Sequence, residues 1–260
     1  MIGDIVGTPG MRVVRRAVPW LRASEHLDFV IANAENAANG SGLYPSNYKQ
    51  LRNAGVDAVT LGDHIYKRLE IASLLRSDEP ICRPANYPPE SLGRDHVLTL
   101  TIEGTLVAVI SVMGRTFMRP VDCPYRAMDR VLAQVPDNAI VVVDIHAEAT
   151  ADKYLMGHYL NGRVAAVIGT HTHVPTADEQ ILSGGTAFLC DVGMCGPYEG
   201  ILGRKVDPVL ATAVTFIPHT FEIGTEDVRM AGVIVDVDPA TRRATAIRRI
   251  MVRECDVPME

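Results

Sequence analysis

The sequence predicts an α/β fold in which two mixed sheets pack together with helices outside, in one domain spanning residues 1–260. Three observations predict it. Short β-branched runs, apolar enough to be buried on both faces, alternate with stretches of helical period. Hairpins interrupt that alternation. No Pro-, Gly- or Ser-rich linker divides the chain into halves.

Only Met1 and Ile2 stand ahead of Gly3-Asp4, so the opening strand is expected to be cut short beside an ordinary strand of about five residues. Met11 to Ala23 carries apolar residues at helical spacing, with a kink expected at Pro19. Asp28 to Asn33 reads as a buried strand. Ser46 can cap a helix that stops at Gly55, and Val56 to Leu61 is the next strand. A hairpin is expected from Leu98 to Glu103 and Leu106 to Met113, turning at Glu103-Gly104. Then follow a strand from Ala139 to Ile145, a helix capped by Thr150 and running through Leu160, and a strand from Val164 to Gly169. Gly232 to Val237 and Ala244 to Val252 flank a turn at Asp238-Pro239. With five Phe and one Trp, the core must be built from Val, Ile, Leu, Ala and Met.

Composition removes several function classes. The 25 Lys+Arg and 31 Asp+Glu leave a net charge of −6, with 47% hydrophobic residues. That is ordinary globular usage and excludes a disordered regulator, a collagen-like fibre and a coiled coil. No basic stripe marks an extended nucleic-acid surface. No apolar run approaches bilayer thickness, and Asp4 stands where an export signal needs an apolar run, so no membrane partner is expected. Five scattered cysteines without a CxxC pair read as reduced thiols in a cytoplasm. Self-association is left open.

The chemistry gathers after the strands. Asp4 follows the opening residues, Glu35 and Asn36 follow the second strand, and Asp63 and His64 follow the third. His146 and Glu148 end the AIVVVDI strand, and His171 and His173 follow VAAVIG. Carboxyl ends of strands are where open α/β sheets collect their ligands. On an extended THTH segment, alternate residues point the same way, so His171 and His173 are expected to face one locus. Imidazoles with carboxylates suit Zn, Mn or Fe better than Ca or Mg. Asp4, Glu35, Asp63, His146, His171 and His173, with Asn36 in reserve, exceed what one catalytic ion takes, so two ions are expected. Paired ions suit attack on a phosphoryl centre.

The segments GDIVGTPG, NAENAANG, RPANYP, GRTFM, DIHAEATADK, GTHTHVPTAD and DVGMCGPYEGILG, in order over nearly the whole chain, resemble the calcineurin-like metallophosphoesterase superfamily. Within it they resemble the bacterial YmdB-like phosphodiesterases. The resemblance implies a four-layer αββα sandwich with a dinuclear iron or manganese site, hydrolysing phosphodiesters that include 2′,3′-cyclic nucleotides. It implies that Asp4 and His173 hold one metal with Asn36 near it. Asp63, His146 and His171 would hold the other, Glu35 would bridge both, and a bridging hydroxide would be the nucleophile. His64 matches the proton donor to the leaving alkoxide, a role that a histidine beside a ligand can fill. A phosphomonoesterase or protein phosphatase, and a feebly active metal-binding regulatory protein, are the competing readings.

One departure concerns Asp63, where the family usually has Asn. Two divalent ions outweigh Asp4, Glu35 and a hydroxide by one formal charge, which an ionised Asp63 cancels. Tighter metal retention and weaker attraction for an anionic diester are expected. Arg83 and Arg115 are candidates for phosphate, and Phe117, Tyr198 and Glu199 for a base; backbone pairing and packing are the competing roles.

Overall fold

The computed structural model describes residues 1–101 and 103–258. In chain order the strands and helices are β1 (Asp4–Ile5), α1 (Gly7–Ser24), β2 (Ile31–Asn33), α2 (Pro45–Asn53), β3 (Ala58–Thr60), α3 (Ile71–Leu75) and β4 (Ile81–Cys82). Then come β5 (Val97–Leu100), β6 (Leu106–Met113), α4 (Pro124–Leu132), β7 (Ile140–His146), α5 (Thr150–Leu160) and β8 (Ala166–Thr170). β9 (Gln180–Ile181), β10 (Ala187–Leu189), β11 (Met194–Pro197), α6 (Val206–Thr215), β12 (Val228–Asp238) and β13 (Arg243–Arg253) complete the fold.

One sheet runs β5-β6-β7-β8-β10-β9, with parallel inner strands and antiparallel edges. The other joins parallel β4-β3-β2 to β1-β11-β12-β13 through the opening residues. Ile2 bridges Ala32 on one side and Gly232 on the other. Its N–H donates to the Ile31 carbonyl at 2.8 Å, and the Val233 N–H donates to the Met1 carbonyl at 2.8 Å. The short opening strand is therefore held from both flanks.

Apolar side chains from the two sheets meet between them. Ile168 and Leu189 pack with Val233 and Ala244, and Ile31 and Cys82 pack with Val107 and Val109. Val14, Val18 and Leu21 of α1 cover the sheet that contains Met230. Met128 of α4 and Met156 of α5 cover the sheet that contains Ile110, Val143 and Phe188. Helix α6 buries none of its residues.

Several elements differ from expectation. Helix α1 starts at Gly7, ahead of the expected Met11, and continues through Pro19 to Ser24. Pro19 lies on the exposed face, where water can satisfy the carbonyl that its missing N–H leaves free. Ser46 does not cap α2; Pro45 supplies the first helical residue with its φ already set, and Tyr44 precedes it. Thr150 opens α5 but makes no side-chain cap. The hairpin forms as β5 and β6, and Ile102, within the expected first arm, lies outside the described residues. Beneath Met1 the sheets leave a cavity of about 550 Å³, lined by Phe29, Val30, Val142 and Val235 among others. None of the candidate site residues lines it.

Candidate metal centre

β2, β3, β7 and β8 each deliver a polar residue at or just beyond the carboxyl end, and Asp4 opens the two-residue β1. The register explains the proximity: Asp144 to His146 of β7 run beside Ile168 to Thr170 of β8, so the chain leaving β8 emerges next to His146. Ligand atoms of Glu35, Asp63, His146 and His171 all lie within 4.8 Å of one another. His146 Nε2 stands 3.1 Å from His171 Nδ1, 3.2 Å from Asp63 Oδ1 and 3.2 Å from Glu35 Oε1. A second group meets on the other side of Glu35. Asn36 Nδ2 lies 3.3 Å from Glu35 Oε1 and 3.3 Å from His173 Nε2, and His173 Nε2 lies 3.9 Å from Asp4 Oδ1.

Gly62 makes this closeness possible. A Cβ there would fall 2.3 Å from His146 Nε2 and 2.5 Å from Glu35 Oε2. Any side chain would drive two of the converging residues apart.

Buried hydroxyls set the state of His146. Thr170 Oγ1 donates to Asp144 Oδ1 at 2.6 Å, so at 2.8 Å it is left to accept from His146 Nδ1. The proton on Nδ1 leaves Nε2 with its lone pair aimed into the cluster. His171 is oriented by Glu148, 3.3 Å from its Nε2, which leaves Nδ1 facing the same place. His173 Nδ1 donates to the Leu202 carbonyl at 3.3 Å, and its Nε2 faces Asn36 and Asp4. Asp4 is fully buried: Oδ2 accepts the His171 N–H at 3.0 Å, while Oδ1 has no hydrogen-bond partner among the described residues. Facing nitrogen lone pairs beside carboxylates, and an orphaned buried carboxylate oxygen, are what a cation would satisfy.

The electrostatics agree. Until a cation takes these lone pairs, protonated His146 pairs with the carboxylates instead. Burial alone would raise Asp63, but hydrogen bonds from His146 and His171 hold it well below the usual carboxylate range. Against burial, Glu35 and Asp63 hold His146 well above its ordinary value. Burial is likewise outweighed at Glu35, which His146 holds low. Behind them burial wins at Asp144, which it pushes up to about 6 despite His146 and hydrogen bonds from Thr170 and Thr60.

The expectation that His171 and His173 lie on an extended segment facing one locus is corrected. Both have left-handed φ, 93° and 65°, so the chain turns between them. His171 joins His146 and Asp63, and His173 joins Asn36 and Asp4. Thr172 anchors the turn: its N–H and hydroxyl donate to Asp191 Oδ2 at 3.1 and 2.7 Å. Asp191 is itself paired with fully buried Lys153 at 2.6 Å.

His64 lies at the rim. Its N–H donates to Glu35 Oε2 at 2.8 Å and its Nδ1 to Asn36 Oδ1 at 2.7 Å. Arg83 donates to the carbonyls of Gly93 and Pro84, so backbone pairing occupies it. Sequence reasoning missed Asp144, Thr170, Lys153 and Asp191. An aspartate inside the apolar AIVVVDI run was the one visible signal among them.

Comparison with known proteins places this architecture. The profile of the YmdB-like protein family matches residues 1–250. The chain belongs to the YmdB-like family. It is 39% identical to the 2',3'-cyclic-nucleotide 2'-phosphodiesterase of Bacillus subtilis (strain 168), over 97% of this chain and 96% of that protein. A hypothetical protein from Thermus thermophilus superposes with a TM-score of 0.91 at 42% identity, covering 97% of each chain. The crystal structure of a novel phosphatase from Mycoplasma pneumoniae gives a TM-score of 0.90 at 27% identity, covering 97% of this chain and 92% of that one. This YmdB-like chain is a hydrolase of the phosphoesterase kind. Among the described residues no helix is long and apolar enough to cross a membrane.

Proposed function

We propose that the chain is a metal-dependent phosphodiesterase that hydrolyses small phosphodiesters such as 2′,3′-cyclic nucleotides. The observation that carries this reading is the meeting of His146 Nε2 and His171 Nδ1, 3.1 Å apart, against Asp63 and Glu35. Two like-facing ring nitrogens gain by sharing a cation and not by facing each other alone. Asp63, His146 and His171 would hold one ion, Asp4 and His173 with Asn36 the other, and Glu35 would reach both. The mixed N/O set favours iron or manganese and admits zinc. Paired ions at such a site supply Lewis-acid polarisation of the phosphoryl group and acidify the attacking water.

The protein's own residues do the rest. Asn36 accepts from His64 Nδ1 and so fixes the ring, leaving Nε2 as the atom that delivers a proton to the leaving alkoxide. Asp144, through Thr170, keeps the His146 tautomer that presents Nε2. The four apolar clusters support a four-layer αββα sandwich in a single domain, and the free cysteines support a cytoplasmic setting.

Elemental analysis of protein purified without chelator, with hydrolysis of bis-p-nitrophenyl phosphate and 2′,3′-cAMP on the same sample, tests the proposal. About two ions per chain with turnover abolished by His146→Ala is the expected result. Two ions without turnover on either diester would favour the regulatory reading, and turnover confined to p-nitrophenyl phosphate would favour the monoesterase.

A further inference from the structure

Phe117 occupies a place that packing does not explain. It is 88% exposed, matched among the large apolar side chains described only by Phe216, and its φ is 60°. A non-glycine residue in that conformation persists only where its surroundings over-determine it. Here both ends of its loop are pinned. At the start, Asp152 Oδ2 accepts the N–H groups of Arg115 and Thr116 at 2.8 Å each, and Oδ1 accepts the Thr116 hydroxyl at 3.2 Å. At the end, Asn86 Nδ2 donates to the carbonyls of Met113 and Asp122 at 2.9 and 3.1 Å.

The loop also borders the metal centre. It leaves β6 at Met113, the register partner of His146, and Gly114 donates its N–H to the His146 carbonyl at 3.0 Å. On its far limb, the Asp122 N–H donates to the Asn86 carbonyl at 3.0 Å. The hydroxyl of the next residue, Tyr87, lies 3.4 Å from the carbonyl of Gly62, the residue before Asp63. The loop thus runs from the His146 side of the centre to the Asp63 side, with an exposed aromatic ring between its two anchored ends. Tyr198, the other aromatic candidate, is committed elsewhere: its hydroxyl donates to the Met194 carbonyl and its ring lies under the Arg229 guanidinium.

We infer that Phe117 is the platform on which the base of a nucleotide substrate stacks while its phosphodiester lies at the metal centre. The inference rests on the phosphodiesterase reading and assigns the residue that would favour base-bearing diesters at that site. A flat π face accepts any base, so the platform selects nucleotides over other diesters without choosing among bases.

The test compares 2′,3′-cAMP with the 2′,3′-cyclic phosphate of methyl riboside, which presents the same ring phosphate without a base. Phe117→Ala is expected to lower the ratio of kcat/KM for the nucleotide over the base-less substrate about tenfold, chiefly through KM, as loss of base–aromatic stacking does. Phe117→Trp is expected to restore the ratio. An unchanged ratio in Phe117→Ala, or equal losses on both substrates, overturns the inference while leaving the phosphodiesterase in place. Failure of the unaltered enzyme to turn over either substrate overturns the underlying reading instead.

Discussion

Replacing Lys153 with Met removes the cation paired with Asp191 while keeping most of the volume. Both side chains are buried, with Nζ 2.6 Å from Oδ2. Stripping one partner from such a pair costs about 3–5 kcal/mol, because the other charge is stranded. Asp191 would keep three hydrogen bonds, from the Thr172 N–H and hydroxyl and from the Gly193 N–H, which places the cost near the lower bound. A loss of about 3 kcal/mol in a chain of 260 residues lowers Tm by roughly 5–10 °C. The effect should extend to metal uptake, since Thr172 sits between His171 and His173. Outer partners of ligands are commonly worth about 10- to 100-fold in affinity, so manganese titration should show half-saturation rising about tenfold. Scanning calorimetry on Lys153→Met, Asp191→Asn and the double variant checks the coupling. The double variant should lose less than Lys153→Met alone, because no charge is left stranded. A drop of under about 2 °C in Lys153→Met, or strictly additive losses, would refute the account.

Gly62→Ala should displace His146 and Glu35 and leave at most about one ion per chain; two ions at unchanged affinity by elemental analysis would contradict the geometry. Asp63→Asn restores a positive charge to the centre, so KM for an anionic diester should fall while metal affinity weakens, and an unchanged KM would sink the charge argument. Asp144 supplies a pH test on metal-stripped protein. Its folded value, about 6, stands above the ordinary 3.8, so the folded state binds the extra proton between those limits. The stabilisation is therefore complete below 3.8 and is lost as pH rises through about 6, on the order of 3 kcal/mol in all. Urea unfolding across this range should show that slope in the wild type and not in Asp144→Asn; parallel profiles would exclude it.

Much of the centre was legible because its residues follow buried strands. An apolar run of β-branched residues announces itself, and the polar residue at its end is visible by contrast, as with Glu35, Asp63 and His146. The length of those strands was not legible. Val30 and Val56 are buried as expected, yet lie outside the ladders, since burial fixes hydrophobicity and pairing fixes the strand. The turn between His171 and His173 was hidden for a different reason. Alternation in THTH reads as extended until Asp191, far along the chain, is known to grip Thr172. Lys153 gave no signal at all, because a lysine in a helix of mixed character reads as solvated.

The ordering of the sheet has a consequence for how the enzyme is made. β1 carries Asp4 yet pairs with β11, its Asp4 opposite Met194. His173 is held by the Leu202 carbonyl. Asp4 thus leaves the ribosome long before the strand that seats it has been synthesised. Contacts of such sequence separation form late and slowly. A nascent chain halted before Met194 would lack that strand, and could not assemble the full proposed metal centre. Hydrolytic capacity should therefore appear only once the stretch through Leu202 has emerged, and a product terminated earlier should be inert.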